Sequence, residues 1–326
     1  MRTLLLAPDA VGIARGAALL RAGGLVAFPT ETVYGLGANA ADPSAVARVY
    51  AAKGRPADNP LIVHVPSVES MAEWAVPDER ARELSKRFWP GPLTLVLPGR
   101  GLMAAQTLAL RMPRHEHALS LLRAADRPIA APSANRSGRP SPTSARATLS
   151  ELGGRIEAVL DGQDAEVGIE STVLDLTEPQ AAILRPGGIS SEEIGQVLGE
   201  KVGQAARHAR SPGVRYRHYA PDVDVLLLSG DDRSALRAAA EQALSARGGS
   251  WYIGLADTAP AGARGLVAAS VSDLQKALYA ALLHAEREGA PLVAVLPPAS
   301  PEAAGVIDRM VRAAGKEVRA REDLEE

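Results

Sequence analysis

At 326 residues, with 46% apolar and 23% charged residues, the chain is long enough for two ordinary domains and too apolar to remain a disordered polymer. The absence of cysteine excludes disulfides, thiolate zinc sites, iron–sulfur clusters and a cysteine nucleophile, and leaves the cytoplasm as the expected compartment. A formal net charge of −2 argues against bulk electrostatic capture of nucleic acid.

The opening Leu4-Leu5-Leu6 is broken by Pro8 and Asp9, too soon for a signal-peptide core. No stretch approaches the roughly 20 apolar residues that span a bilayer, so a soluble protein without a membrane partner is expected. Val11 to Ala22 has helical spacing and closes on Gly23-Gly24. Leu25 to Phe28 is a short apolar strand, and the following Pro29-Thr30-Glu31-Thr32-Val33-Tyr34-Gly35-Leu36-Gly37 is dense in hydroxyls, with two glycines that let backbone approach a ligand. A strand, a turn and a second strand account for this run equally well.

Pro43 to Ala52 is a helix opened by Asp42 as N-cap with proline in its first turn. Lys53-Gly54-Arg55-Pro56 then reads as a helix stop, with cations favoured by the dipole. A stop alone does not explain Asp58-Asn59-Pro60 directly before the strand Leu61 to Val65, which carries His64. Only five of the 36 cationic residues are lysine, so Lys53 stands out against an arginine-rich background. Glu79 to Phe88 is a helix, Leu93 to Leu97 a strand, and Arg111 is a charged residue in the strand-like Leu110-Arg111-Met112, suited either to gripping a carboxylate or to an edge strand.

Ile129 to Ala131 ends in a long loop, Pro132 to Thr143, rich in hydroxyl, amide and glycine groups that suit an anion-wrapping nest. Ser133-Ala134-Asn135 in that loop and Lys53 to Pro60 are two strand-end segments that fit one polar pocket for phosphate. Gly168 to Thr172, the strand Thr172 to Leu176, and Leu184-Arg185-Pro186-Gly187 add a hydroxyl pair and another arginine at strand boundaries. Several of these strands follow one another without a helix between them, which makes the sheet mixed.

From Ala206 to Pro221 the apolar period stops in a cationic, tyrosine-bearing linker that reads as a docking segment. A second alternation follows: strand Val225 to Leu228, helix Ser234 to Ala246, strands Ser250 to Leu255 and Gly265 to Ala269, helix Ser272 to Glu288, strand Leu292 to Leu296 and helix Glu302 to Ala313. This is a small Rossmann-like domain without G-x-G-x-x-G, so no dinucleotide site is expected, and the charged tail after Lys316 is expected to fray. No Walker, HExxH, kinase or GxSxG signature occurs, and six scattered histidines give no protein-bound metal.

Taken together, Pro29 to Gly37, Lys53-Gly54-Arg55-Pro56 through His64, Ala131 to Ser141, Glu170-Ser171-Thr172, Arg185-Pro186-Gly187 and Ser211-Pro212-Gly213 to Pro221 resemble the YrdC-type threonylcarbamoyl-AMP synthases in their long form. The resemblance implies a YrdC-like catalytic domain over 1–206 with a twisted mixed sheet and a polar, basic cavity. A linker over 207–221 would form a lid, and a C-terminal domain would cover 222–326. It implies that L-threonine, bicarbonate and ATP, with magnesium carried on the ATP phosphates, give threonylcarbamoyl-adenylate and pyrophosphate. Downstream proteins then pass the threonylcarbamoyl group to the adenosine beside the anticodon of tRNA, and a tRNA contact comes with that role.

By position, the resemblance assigns Lys53 and Arg55 as catalytic and, with Ser133 and Asn135, as the nucleotide signature. It assigns Asn59, Thr107, Ser141 and Arg185 to ATP, and Thr32, His64, Arg111, Ala131 and Ser171 to threonine. Arg111 would pair with the carboxylate, and Ser171 or Thr32 would read the side-chain hydroxyl. Tyr216, Arg217 and Tyr219 would cover the pocket, either tyrosine touching the nucleotide. Two other readings fit the residues less well. A non-catalytic double-stranded RNA or tRNA-binding module fits poorly with the net charge, and the carbamoyl-transfer domain of hydrogenase maturation factors carries cysteine-rich zinc motifs that this chain lacks.

Overall fold

The computed structural model describes residues 1–101, 106–205, 219–314 and 316–319. Tyr216, Arg217 and most of the expected linker lie outside the described residues. Two compact units divide the chain: Met1–Ser137 with Ser141–Glu166 and Glu170–Arg215, and Gly138–Pro140 with Val167–Ile169 and Tyr216–Glu326.

The first unit is built on an eleven-stranded mixed sheet. In chain order its strands are β1 (Leu4–Leu6), β2 (Val26–Phe28), β3 (Gly35–Asn39), β4 (Ile62–His64), β5 (Leu93–Pro98), β6 (Thr107–Arg111), β7 (Ile129–Ala130), β8 (Ala158–Leu160), β9 (Thr172–Asp175), β10 (Ala182–Arg185) and β11 (Gly203–Gln204). They lie in the order β1-β8-β2-β3-β7-β4-β6-β5-β9-β10-β11. The helices are α1 (Ala10–Arg21), α2 (Pro43–Lys53), α3 (Met71–Trp74), α4 (Glu79–Phe88), α5 (Glu116–Ala125), α6 (Ala145–Leu152) and α7 (Ser191–Leu198).

Period-two alternation sorts the side chains of the first strands between two faces. Val26 and Phe28 pack with Leu20 of α1 and Leu121 and Leu122 of α5. Leu25 and Ala27 pack with Ala45 and Val49 of α2 and Leu152 of α6. A third cluster unites Leu95, Leu110, Leu174 and Ile183 from the other half of the sheet with Leu84 and Phe88 of α4 and Ile194 of α7. With helices on both faces, the strands read as unbroken apolar runs.

The sequence reading finds β2, β4, β5, β7 and β9 but not β1, β8, β10 or β11. The sheet selects them through main-chain pairing: Leu4, Leu5 and Leu6 lie beside Ala158, Val159 and Leu160 in parallel register.

The second unit holds a five-stranded sheet of β12 (Val225–Ser229), β13 (Trp251–Leu255), β14 (Gly265–Ala268), β15 (Leu292–Val295) and β16 (Lys316–Arg319). All its pairings are parallel, in the order β14-β13-β15-β12-β16. Its helices are α8 (Arg233–Ala246), α9 (Val271–Arg287) and α10 (Ala304–Ala313). The unit resembles a Rossmann sheet in its parallel strands and intervening helices, but inserts β15 between β12 and β13. The expectation that the charged tail frays is corrected over Lys316–Arg319, which pair with Leu226 to Ser229. An open sheet edge needs only main-chain groups from its next strand, so side-chain charge does not forbid pairing.

Candidate active site

Lys53 is the last residue of α2, and Gly54 ends that helix in the left-handed region at φ 61°. The chain turns back there, so that the Arg55 amide donates to the Tyr50 carbonyl at 2.9 Å. Both cations fold inward: Lys53 is 2% exposed and Arg55 9%. The Lys53 ammonium donates to the Ser133 carbonyl, to the Asn135 carbonyl at 2.5 Å and to Asn135 Oδ1 at 3.5 Å. These are three acceptors for its three protons. Burial and then the Arg55 charge push the Lys53 amine well below its ordinary value, while Glu151 and Glu170 pull the other way. Arg55 donates from Nε to the Asn59 carbonyl at 3.3 Å and from Nη2 to the Pro60 carbonyl at 3.1 Å. Asn59 is itself buried, and both ends of its side-chain amide lack a hydrogen-bond partner.

The pairing of Lys53 with Ser133 and Asn135 anticipated from sequence is therefore physical. Through it the lysine fixes the loop after β7. Gly35 bridges to Ser133 on the other side, and the Leu36 amide donates to the Pro132 carbonyl at 2.7 Å. Farther along the loop, buried Ser141 donates to Glu170 Oε1 at 2.6 Å. Glu170 leads into Ser171, whose hydroxyl lies 2.8 Å from that of Thr94. Arg185, the last residue of β10, holds the Ser171 carbonyl from Nη2 at 2.9 Å and from Nε at 3.2 Å. Gly187 makes this arrangement possible, since a Cβ there would come within 2.4 Å of main-chain atoms of Glu170, Ser171 and Thr172.

A second cluster sits at the ends of β4 and β6. His64 and Arg111 are register partners, 3% and 4% exposed. Burial and the neighbouring Arg111 charge push His64 down to about 3, so the ring is neutral at physiological pH. Its Nδ1 has no hydrogen-bond partner, and its edge meets Phe28 with centroids 5.8 Å apart. Two strands, β3 and β7, separate them in the sheet, and Gly37 of β3 leaves the Phe28 ring its room, since a Cβ there would stand 2.9 Å from the phenyl ring. The Arg111 guanidinium donates from Nε to the Gly91 carbonyl at 3.2 Å, and its Nη2 lies 2.7 Å from Glu31 Oε2. Ala131, buried after β7, donates its amide to the Ile62 carbonyl at 2.8 Å.

Glu31 belongs to a tight turn after β2. The Thr30 hydroxyl gives its one proton to the Val33 carbonyl at 2.6 Å and receives the amides of Thr32 and Val33. Thr32 Oγ1 lies 2.8 Å from Thr30 Oγ1, close enough for a hydroxyl–hydroxyl hydrogen bond in which either could be the donor. Sequence reasoning quoted Glu31 inside its motif but gave it no role. The available signal was a lone carboxylate in a run otherwise free of charge from Leu25 to Asn39.

Thr107, expected at ATP, is exposed and opens β6, the strand that Arg111 closes. Tyr219 is buried in the second unit, its ring 5.5 Å from that of Tyr279 and 5.3 Å from the Arg309 guanidinium. Tyr216 is outside the described residues.

The family profile Sua5_yciO_yrdC, described as "Telomere recombination", matches residues 18–187, and a second profile, described as "Threonylcarbamoyl-AMP synthase, C-terminal domain", matches residues 189–315. The chain belongs to the Sua5/YciO/YrdC family. Among the similar members, the threonylcarbamoyl-AMP synthase of Pyrococcus abyssi is 44% identical, covering 85% of this chain and 86% of its own. That of Bacillus subtilis is 47% identical over 67% of each chain. The structure of P. abyssi Sua5 complexed with L-threonine superposes with a TM-score of 0.89 at 40% identity, covering 98% of this chain and 99% of that one. The expected YrdC-like fold with an added C-terminal domain is thus the family's long architecture.

Proposed function

We propose that this family member is a threonylcarbamoyl-AMP synthase, joining L-threonine, bicarbonate and ATP with release of pyrophosphate, as the first step of tRNA threonylcarbamoyladenosine formation. The observation that carries the reading is burial. Lys53, Arg55, Arg111 and Arg185 are each exposed by 9% or less, so a ligand reaches them only by entering the protein. A nucleotide phosphate or an amino-acid carboxylate fits that demand, whereas the backbone of a folded RNA needs cations on the surface. The names of the relatives and the threonine complex of P. abyssi Sua5 support the same reading.

In this reading the carbamate formed on the threonine nitrogen attacks the α-phosphorus of ATP. A phosphorus–oxygen bond forms to the carbamate as the bond to pyrophosphate breaks. Lys53 and Arg55 supply positive charge where the phosphates lose and redistribute theirs. Ser133, Asn135, Asn59, Ser141 and Arg185 shape the nucleotide side. Arg111 takes the threonine carboxylate, and neutral His64, Ala131, Thr32 and Ser171 line the rest of the amino-acid site. Magnesium would enter on the ATP phosphates, as a hard cation that keeps oxygen ligands from the nucleotide and water. No helix among the described residues is long and apolar enough to cross a membrane. Transfer proteins that accept the adenylate and carry tRNA would act downstream.

The test is pyrophosphate release with threonine and bicarbonate each supplied or withheld. Release that requires both is expected, and release indifferent to threonine would refute the assignment.

A further inference from the structure

Glu31 is 1% exposed and faces Arg111, yet neither of its carboxylate oxygens takes a hydrogen bond, and Arg111 Nη2 makes none despite lying 2.7 Å from Oε2. A carboxylate offers about four lone-pair sites. A buried ion pair kept for the fold alone repays its desolvation by filling such sites with well-aligned partners. This pair leaves them open, beside the equally unpartnered Nδ1 of His64.

An α-amino acid at neutral pH carries one anionic and one cationic group on adjacent carbons. Arg111 suits the first and Glu31 the second. We propose that Glu31 binds the α-ammonium of threonine, so that the Glu31–Arg111 pair reads both charges of the amino acid at once. The inference rests on the synthase reading and adds to it the residue that recognises the reacting nitrogen. Two opposed protein charges then meet two opposed ligand charges, and no net charge enters the buried site. The turn closed by the Thr30 hydroxyl holds Glu31 in place before the substrate arrives.

The test is calorimetric titration of the full chain with L-threonine and with 3-hydroxybutyrate, which is threonine without its amino group, in wild type and Glu31→Gln. Wild type is expected to bind threonine about ten- to a hundredfold more tightly than 3-hydroxybutyrate, the contribution of one charged hydrogen bond. Glu31→Gln should bring the two ligands to within about threefold of each other. A wild type that binds both equally overturns the proposal without any variant. So does a Glu31→Gln protein that loses the same factor for both ligands, since Glu31 would then act only as a prop for Arg111. If Glu31→Gln does not fold, Glu31→Asp carries the same comparison: a reduced but persisting preference for threonine is expected, and equal weakening of both ligands overturns the idea. A wild type that binds neither ligand defeats the synthase reading itself, and this inference with it.

Discussion

Lys53 satisfies two demands at once. Its three protons hold the loop after β7, and its charge lies beside Arg55 where a triphosphate is proposed to sit. Lys53→Met keeps the apolar stem but leaves two main-chain carbonyls unmet, each costing about 1–3 kcal/mol if they stay buried. Threonine-dependent pyrophosphate release should fall by at least about a hundredfold, and Lys53→Arg should not restore it, because a planar fork cannot serve three acceptors arranged around an ammonium. His64 makes a different prediction. Its folded value of about 3 lies below the ordinary 6.5, so between those values the unfolded chain binds a proton that the folded chain refuses. Stability is therefore full above about pH 6.5 and is lost as pH falls toward 3, at up to roughly 1.4 kcal/mol per pH unit. Urea titrations near pH 7 and near pH 5 should show His64→Leu losing less stability on acidification than wild type does; equal losses would mean that the ring is protonated in the fold.

At the scale of elements, glycine decides where side chains and strands approach. A methyl group at Gly187 would meet main-chain atoms of three residues at 2.4 Å, and backbone cannot step aside as a flexible side chain can. Gly187→Ala should cost about 3 kcal/mol or more and move Ser171 and Arg185 apart, seen as a lower melting temperature together with a raised KM. Gly37→Ala would press on the Phe28 ring and, through it, on His64. A smaller stability loss of about 1–3 kcal/mol is expected, because a ring can tilt. These glycines also mark how far the sequence could be read. Lys53 with Ser133 and Asn135 was legible because unusual residue types stood beside turn formers. Helices α1, α2 and α4 and the three helices of the second unit are legible from 3.6-residue periodicity and end signals, whereas α5, also ten residues long, is not. Glu31 was not legible, since a carboxylate opposite Arg111 depends on the pairing of β4 with β6 and on the turn after β2, neither of which leaves a local pattern. Strands β1 and β8 stay hidden for a similar reason: their partners, not their composition, define them.

For the molecule as a whole, the near-neutral charge and the burial of the candidate cations predict weak dependence on ionic strength. Threonine affinity should change by less than about twofold between low salt and roughly 0.5 M salt; a steep loss would place the binding charges at the surface. The pairing of β1 with β8 has its own consequence, one that concerns synthesis. Leu4 finds its neighbour only at Ala158, and β8 is also the strand that joins β1 to β2. A nascent chain therefore carries its first strand and α1 without their place in the sheet until some 150 further residues have left the ribosome, seconds to tens of seconds at ordinary elongation rates. During that interval the apolar faces of α1 and β2 are available to chaperones and to other chains. Stalled nascent chains ending before Ala158 should remain protease-sensitive over their first 40 residues, and those extending past β10 should become protected.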